Sequence, residues 1–157
     1  MSTNKPAQGT TRNDPLPVFC FKVDLTPVGG EAFFKSVSGL KVEIETIPVK
    51  EGGQNATVFQ LVGGTKWSNI VLKRGFTKDS GGTGMLNWVN GWIGKPGQRA
   101  KTGSITLLDT ALTAQAEWTF YNGIPVKWDI GEFDASKSEL AIETLEIAHE
   151  GITYTAL

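Results

Sequence analysis

The 157-residue chain has one cysteine, one histidine and no excess of either charge. Cys20 standing alone excludes an internal disulfide framework and any multi-cysteine zinc site. His149 standing alone excludes a histidine-rich metal centre and a pair of histidines sharing acid–base work. Fifteen Lys+Arg against 16 Asp+Glu leave a formal charge of −1. A protein that holds duplex nucleic acid carries a basic excess on its binding face, and none is present. Charge this close to zero also removes the self-repulsion that keeps copies of a protein apart. No apolar run reaches the ~20 residues needed to cross a bilayer, so the subunit itself is not expected to insert into a membrane. Residues 1–17 lack the apolar segment of a secretory signal, which predicts synthesis in the cytoplasm without a signal peptide.

What is abundant is glycine. The 19 glycines make up about 12% of the chain against a usual ~7%, which points to many tight turns rather than long helices. The length suits one domain, large enough to bury a core without disulfide or metal. Residues 1–17 are polar and hold three prolines, so they are expected to form a flexible N-terminal arm ahead of a domain at 18–157. From Val18 the pattern alternates: Phe19, Phe21, Val23 and Leu25 point one way, with Cys20, Lys22 and Asp24 opposite, the period of a half-buried strand.

A second strand is predicted over 33–47, with Val42 and Ile44 inward, Lys41, Glu43 and Glu45 in a charged row outside, and a bend at Gly39. Residues 49–66 predict a long hairpin excursion, too apolar at Val58, Phe59, Leu61 and Val62 to be a simple solvated loop. A strand at 67–74 follows, with Ile70 and Leu72 on one face. One helix is predicted within 78–93, capped by Asp79 or Ser80, with Met85, Trp88, Val89 and Trp92 at helical spacing and Gly91 and Gly94 at its end. Strands are expected at 104–109, 115–121 and 124–130, the last two joined by a two-residue hairpin at Asn122-Gly123. Residues 139–150 favour a helix by local propensity, with a strand as the alternative. The sum is a mainly β domain, a mostly antiparallel sandwich or barrel of seven or eight strands with one short helix.

No catalytic constellation survives inspection. His149 beside Glu146 and Glu150 reads as structural, and Cys20 as a packed or semi-exposed structural thiol. The cluster Gly81-Gly82-Thr83-Gly84 lacks P-loop spacing and the Lys-Ser/Thr pair that would reach phosphate and magnesium. Lys73, Arg74 and Lys78 around Phe76 suggest a single-strand nucleic-acid binder, but the surrounding carboxylates cancel the charge. The expectation is a protein that is not an enzyme and takes no cofactor.

Several ordered blocks together resemble the tail tube family of contractile phage tails and contractile injection systems, the T4-type tail tube. Pro125, Val126, Lys127 and Trp128 match one block. Ala141, Ile142, Glu143, Leu145, Glu146, Ala148, His149, Glu150 and Gly151 match another. Ser36-Val37-Ser38-Gly39-Leu40 with Glu43 and Glu45, and 69–75 (NIVLKRG), also fit. The resemblance implies two packed antiparallel sheets with one helix, a hexameric ring, rings stacked into a hollow tube, and a strand rather than a helix over 140–150. It implies partners: a sheath around the tube, baseplate and cap proteins at its ends, and cargo protein or DNA inside a virion tail or injection particle. Lys41, Glu43 and Glu45 would then face the lumen. Lys50, Glu51, Asn55, Val58, Phe59, Leu61 and Lys66 would serve inter-ring stacking. A type VI-like secreted hexameric ring protein is the alternative.

Overall fold

The computed structural model describes residues 15–16, 18–26, 31–50, 52, 57–76, 85–137 and 140–157. Alternating apolar residues build a predominantly antiparallel β fold around a single core. Its strands are β1 (Cys20–Asp24), β2 (Glu31–Phe34), β3 (Ser36–Ser38), β4 (Val42–Lys50), β5 (Val58–Trp67), β6 (Ile70–Gly75), β7 (Ala100–Leu108), β8 (Ala114–Ile130), β9 (Ile142–Ala148) and β10 (Ile152–Ala156). One short helix, α1 (Met85–Asn90), lies between β6 and β7.

The strands form two antiparallel sheets that share an edge. The hydrogen-bonded order is β2-β1-β7-β8-β9-β6-β3, with β10 also on β8. The 17-residue β8 belongs to both layers: its first part pairs with β7 and β10, and its last part, from Ile124, pairs with β9. A strand that changes sheets at an irregularity is how sandwich corners are made. The opposite corner is the run from β2 to β3, interrupted only at Lys35, whose N–H donates to the Lys73 carbonyl. The ladder ends at β2 and β3 and does not close, so the sandwich half of the sandwich-or-barrel expectation holds.

Between the layers lie Val23, Phe34, Ile70, Leu72, Ile105, Phe120, Leu145 and Ile147, all essentially sealed from solvent. Phe120 occupies its place because Gly103 has no side chain: a Cβ there would fall 2.1 Å from the ring's Cζ. The inner face of β6–β9 is a column of register pairs, Ile70↔Ile147, Leu72↔Leu145 and then Arg74↔Glu143. That third rung is charged. Arg74 Nε donates to Glu143 Oε2 at 2.9 Å, Trp128 Nε1 donates to Oε1 at 2.9 Å, and the Arg74 guanidinium lies 5.4 Å from the Phe34 ring centre. Both carboxylate oxygens are thus bonded, as a buried charge requires.

Several expectations from local pattern change. The strand over 33–47 is three strands, broken at Lys35 and again where Gly39 takes a left-handed φ of 83° and turns the chain. Val42 and Ile44 therefore do not enter the core; both stay about half exposed. The strand at 67–74 is likewise divided, with Trp67 ending β5 and Ile70 starting β6. Asn122-Gly123 makes no hairpin: Asn122 has a φ of 53°, but Gly123 is not among the positive-φ glycines, and a type I′ turn needs positive φ at both residues. The chain kinks there and β8 continues. Helix α1 lies within the expected 78–93 stretch, and the caps suggested at Asp79 and Ser80 lie outside the described residues, as does most of the N-terminal arm. Over 140–150 the strand implied by the family resemblance is present, and the locally favoured helix is not.

Candidate assembly surface

Among the described residues β4 and β5 pair only with each other. Every residue of β4 and nearly all of β5 is exposed, so the ribbon stands clear of the sandwich. A two-stranded hairpin is marginal in water without something to pack against. This one carries Val42, Ile44, Ile47, Val49, Val58, Phe59, Leu61 and Val62 in the open, Val62 at 77%. Sequence pattern had marked its outer part, Val58 to Val62, but not Ile47 and Val49, which face Leu61 and Phe59 across the ladder.

The register brings the two predicted sets of site residues onto one ribbon. Glu43 lies opposite Lys66, Ile44 opposite Thr65, and after a bulge Thr46 lies opposite Val62. By β4's alternation, Glu43, Glu45, Ile47 and Val49 share a face. That face is charged near the root, where Lys41 pairs with Glu43, and apolar farther out at Ile47, Leu61, Val49 and Phe59. The bulge opens a shallow depression lined by Glu43, Ile44, Glu45, Gly64, Thr65 and Lys66. The Lys41 ammonium, by hydrogen bond and by charge, holds the Glu43 carboxyl below the usual glutamate range, and Lys66 adds to this. Lys50, Val58, Phe59 and Leu61 occupy the outer half, whereas Lys66 belongs to the root. Glu51 and Asn55 lie outside the described residues.

The root is clamped to the sandwich. Ser68 N–H donates to the Lys41 carbonyl at 3.1 Å, closing the hairpin's base. His149 Nε2 sits 2.9 Å from the Ser68 carbonyl, which can only accept, so the proton is on Nε2. The imidazole also packs 5.8 Å from the Trp67 ring and 6.3 Å from Phe120. Asn69 donates to Glu146 at 2.9 Å. Gly39 approaches Asn69 so closely that a Cβ would fall 1.9 Å from its carbonyl oxygen. His149 thus fastens an arm to a core. Glu150, next to it, receives bonds from Asn122 at 2.7 Å and Arg99 at 3.3 Å. Cys20 lies half-buried in β1.

Among the described residues no three His, Cys, Asp or Glu side chains are grouped to hold a metal, and no helix is long and apolar enough to cross a membrane. The surface offers edges and apolar area, which is the chemistry of association.

Comparison with known proteins points the same way. The family model described as T4-like virus tail tube protein gp19 matches residues 17–153. A chain of the extracellular contractile injection system PVC sheath–tube complex in the extended state is 27% identical, with 92% of this chain and 94% of that one covered and a TM-score of 0.78. A chain from the anti-feeding prophage tube-terminating cap is 25% identical over 99% of this chain and 100% of that one, with a TM-score of 0.80. Hcp1 from Flavobacterium johnsoniae shares the fold at 18% identity, 88% and 96% coverage and a TM-score of 0.52. No curated protein sequence matches significantly.

Proposed function

The chain belongs to the T4-like tail tube family, the tube proteins of contractile injection systems, and from that premise we propose that six copies close into a ring and that rings stack into a hollow tube. The observation that carries this reading is the β4–β5 ribbon, whose outer edges are unpaired among the described residues and whose two faces expose large apolar side chains. Closing the ribbons of neighbouring subunits into one wall satisfies their backbone groups, and packing of its faces against other copies covers the apolar side chains. Lys41, Glu43 and Glu45 then line a lumen without basic excess, through which protein or DNA passes without sticking. The outer ribbon, with Lys50, Val58, Phe59 and Leu61, reaches the adjoining ring.

In this role the protein carries out no reaction of its own. A sheath surrounds the tube, cap and baseplate proteins close its ends, and the subunit, made in the cytoplasm, becomes part of a tail or injection particle. Solved structures of similar chains in sheath–tube, cap and baseplate assemblies support that placement. The likeness to Hcp1 keeps a second reading, a secreted ring of the type VI kind. Negative-stain microscopy of the purified protein separates the two: long tubes favour the first, isolated rings the second. Replacing residues 50–65 with a Gly-Ser linker should leave single rings and abolish tubes, and removing residues 2–14 should weaken stacking only in part. Tubes of normal length from the linker variant would return the ribbon to a role within one subunit.

A further inference from the structure

The sandwich has a second exposed apolar patch, and its position is informative. Strand β6 begins at Ile70, beside the clamped root of the ribbon, and ends at Gly75. Just past that end, Phe76 meets Phe133 edge-to-face at 5.6 Å, and Phe76 N–H donates to the Ala141 carbonyl. Phe133 is 66% exposed, Leu140 78%, and Ile142, paired with Gly75, is also exposed. Ribbon and patch therefore occupy opposite ends of the β6–β9 ladder, separated by about 17 Å at ~3.3 Å per residue.

A surface that repeats head to tail needs two different patches that fit each other, not one that fits itself. The ribbon's Ile47, Val49, Phe59 and Leu61 form one such patch, and Phe76, Phe133, Leu140 and Ile142 form another at the far end. Charge agrees. Lys50 stands at the outer end of the ribbon, on the face opposite Val49, and the turn around Phe133 carries two carboxylates, Glu132 and Asp134, against one lysine, Lys137. Permanent contacts are more apolar than those that must release. A patch with two phenylalanines suits a lasting contact between copies of the chain.

We infer that the end patch formed by Phe76, Phe133, Leu140 and Ile142 is the seat for the outer β4–β5 ribbon of a second copy of this chain in the next ring. The inference rests on the tube reading and adds the identity of the surface that receives the ribbon.

Cysteine cross-linking tests it on the full chain. In a Cys20→Ser background, Phe59→Cys and Phe133→Cys are combined, the protein is assembled, and copper phenanthroline with dissolved oxygen supplies the oxidant. Each subunit then bonds to one copy above and one below, so a non-reducing gel should show a ladder well beyond the dimer, which neither single variant gives. Tubes visible by microscopy without that ladder would overturn the seat while leaving the tube reading intact. In a separate variant, Phe133→Ser with Leu140→Ser should leave the subunit folded, with Tm lowered by only a few degrees for the lost Phe76 contact, and leave rings that do not stack. Normal tubes from this variant, including tubes that only fail to bind sheath, would overturn the seat. A parent protein forming neither rings nor tubes would sink the tube reading, and the seat with it.

Discussion

Arg74 and Glu143 face each other across the β6–β9 ladder at 2.9 Å, with the carboxylate almost wholly sealed from solvent and its second oxygen held by Trp128. The three residues come from three separated blocks of sequence, each among those that mark the family resemblance, and they converge on one buried knot. The pair extends the Ile70↔Ile147 and Leu72↔Leu145 column, so a charge occupies what would otherwise be an apolar rung.

Removing one partner leaves the other charge uncompensated. Arg74→Met is expected to destabilise the folded subunit by about 3–5 kcal/mol. The double substitution Arg74→Met with Glu143→Gln should recover most of that loss. Denaturant unfolding at fixed protein concentration measures both, and equal losses for the single and double variants would show that the knot contributes through packing alone.

Gly103→Ala should cost about 1–3 kcal/mol by driving a methyl group into the Phe120 ring. Thermal unfolding checks this directly. Adding Phe120→Leu to Gly103→Ala should relieve part of the clash, because the smaller side chain withdraws from the added methyl.

How much of this was legible beforehand depended on whether a residue's environment lies within its own strand. The alternation of Phe19, Phe21, Val23 and Leu25 placed Val23 and Leu25 inward correctly, since that stretch is packed by its own body, whereas Phe19, ahead of β1, stays exposed. The same alternation failed for Val42 and Ile44, because the chain turns at Gly39 and β4 pairs only with β5 among the described residues, leaving both side chains exposed. Arg74 continues the inward phase of Ile70 and Leu72, a signal present in the sequence, yet its charge invited a nucleic-acid reading. The root clamp was not legible: His149 and Ser68 are 81 residues apart and meet only through the register of β6 on β9.

Glu43 should titrate below the usual glutamate range because Lys41 stabilises its ionised form. A lowered folded-state value means that its contribution to stability is present above the unfolded-state value and lost as pH falls through the lowered one. Carboxyl-carbon NMR titration measures the shift, and Lys41→Ala should move the midpoint back up towards the ordinary range. High salt should do the same in part, since the pair is exposed and screened.

Gly39→Ala should uncouple the ribbon from the sandwich, because the site combines a left-handed φ with a backbone oxygen that a Cβ would strike. Hydrogen exchange should show lost protection centred on Ser68 and Lys41 while the β7–β8 ladder stays protected. Unchanged exchange at the root would show that the ribbon's direction is set elsewhere.

The shared strand β8 has a mechanical meaning. Two sheets held only by side-chain packing yield to shear when the layers slip past each other. Here the peptide backbone of β8 runs through both layers, and the 31–38 segment crosses at the opposite corner. Slippage would require stretching covalent bonds or unzipping a ladder, so a thrust applied to one layer is delivered to the other along the chain itself. A subunit built this way transmits axial load as one stiff element.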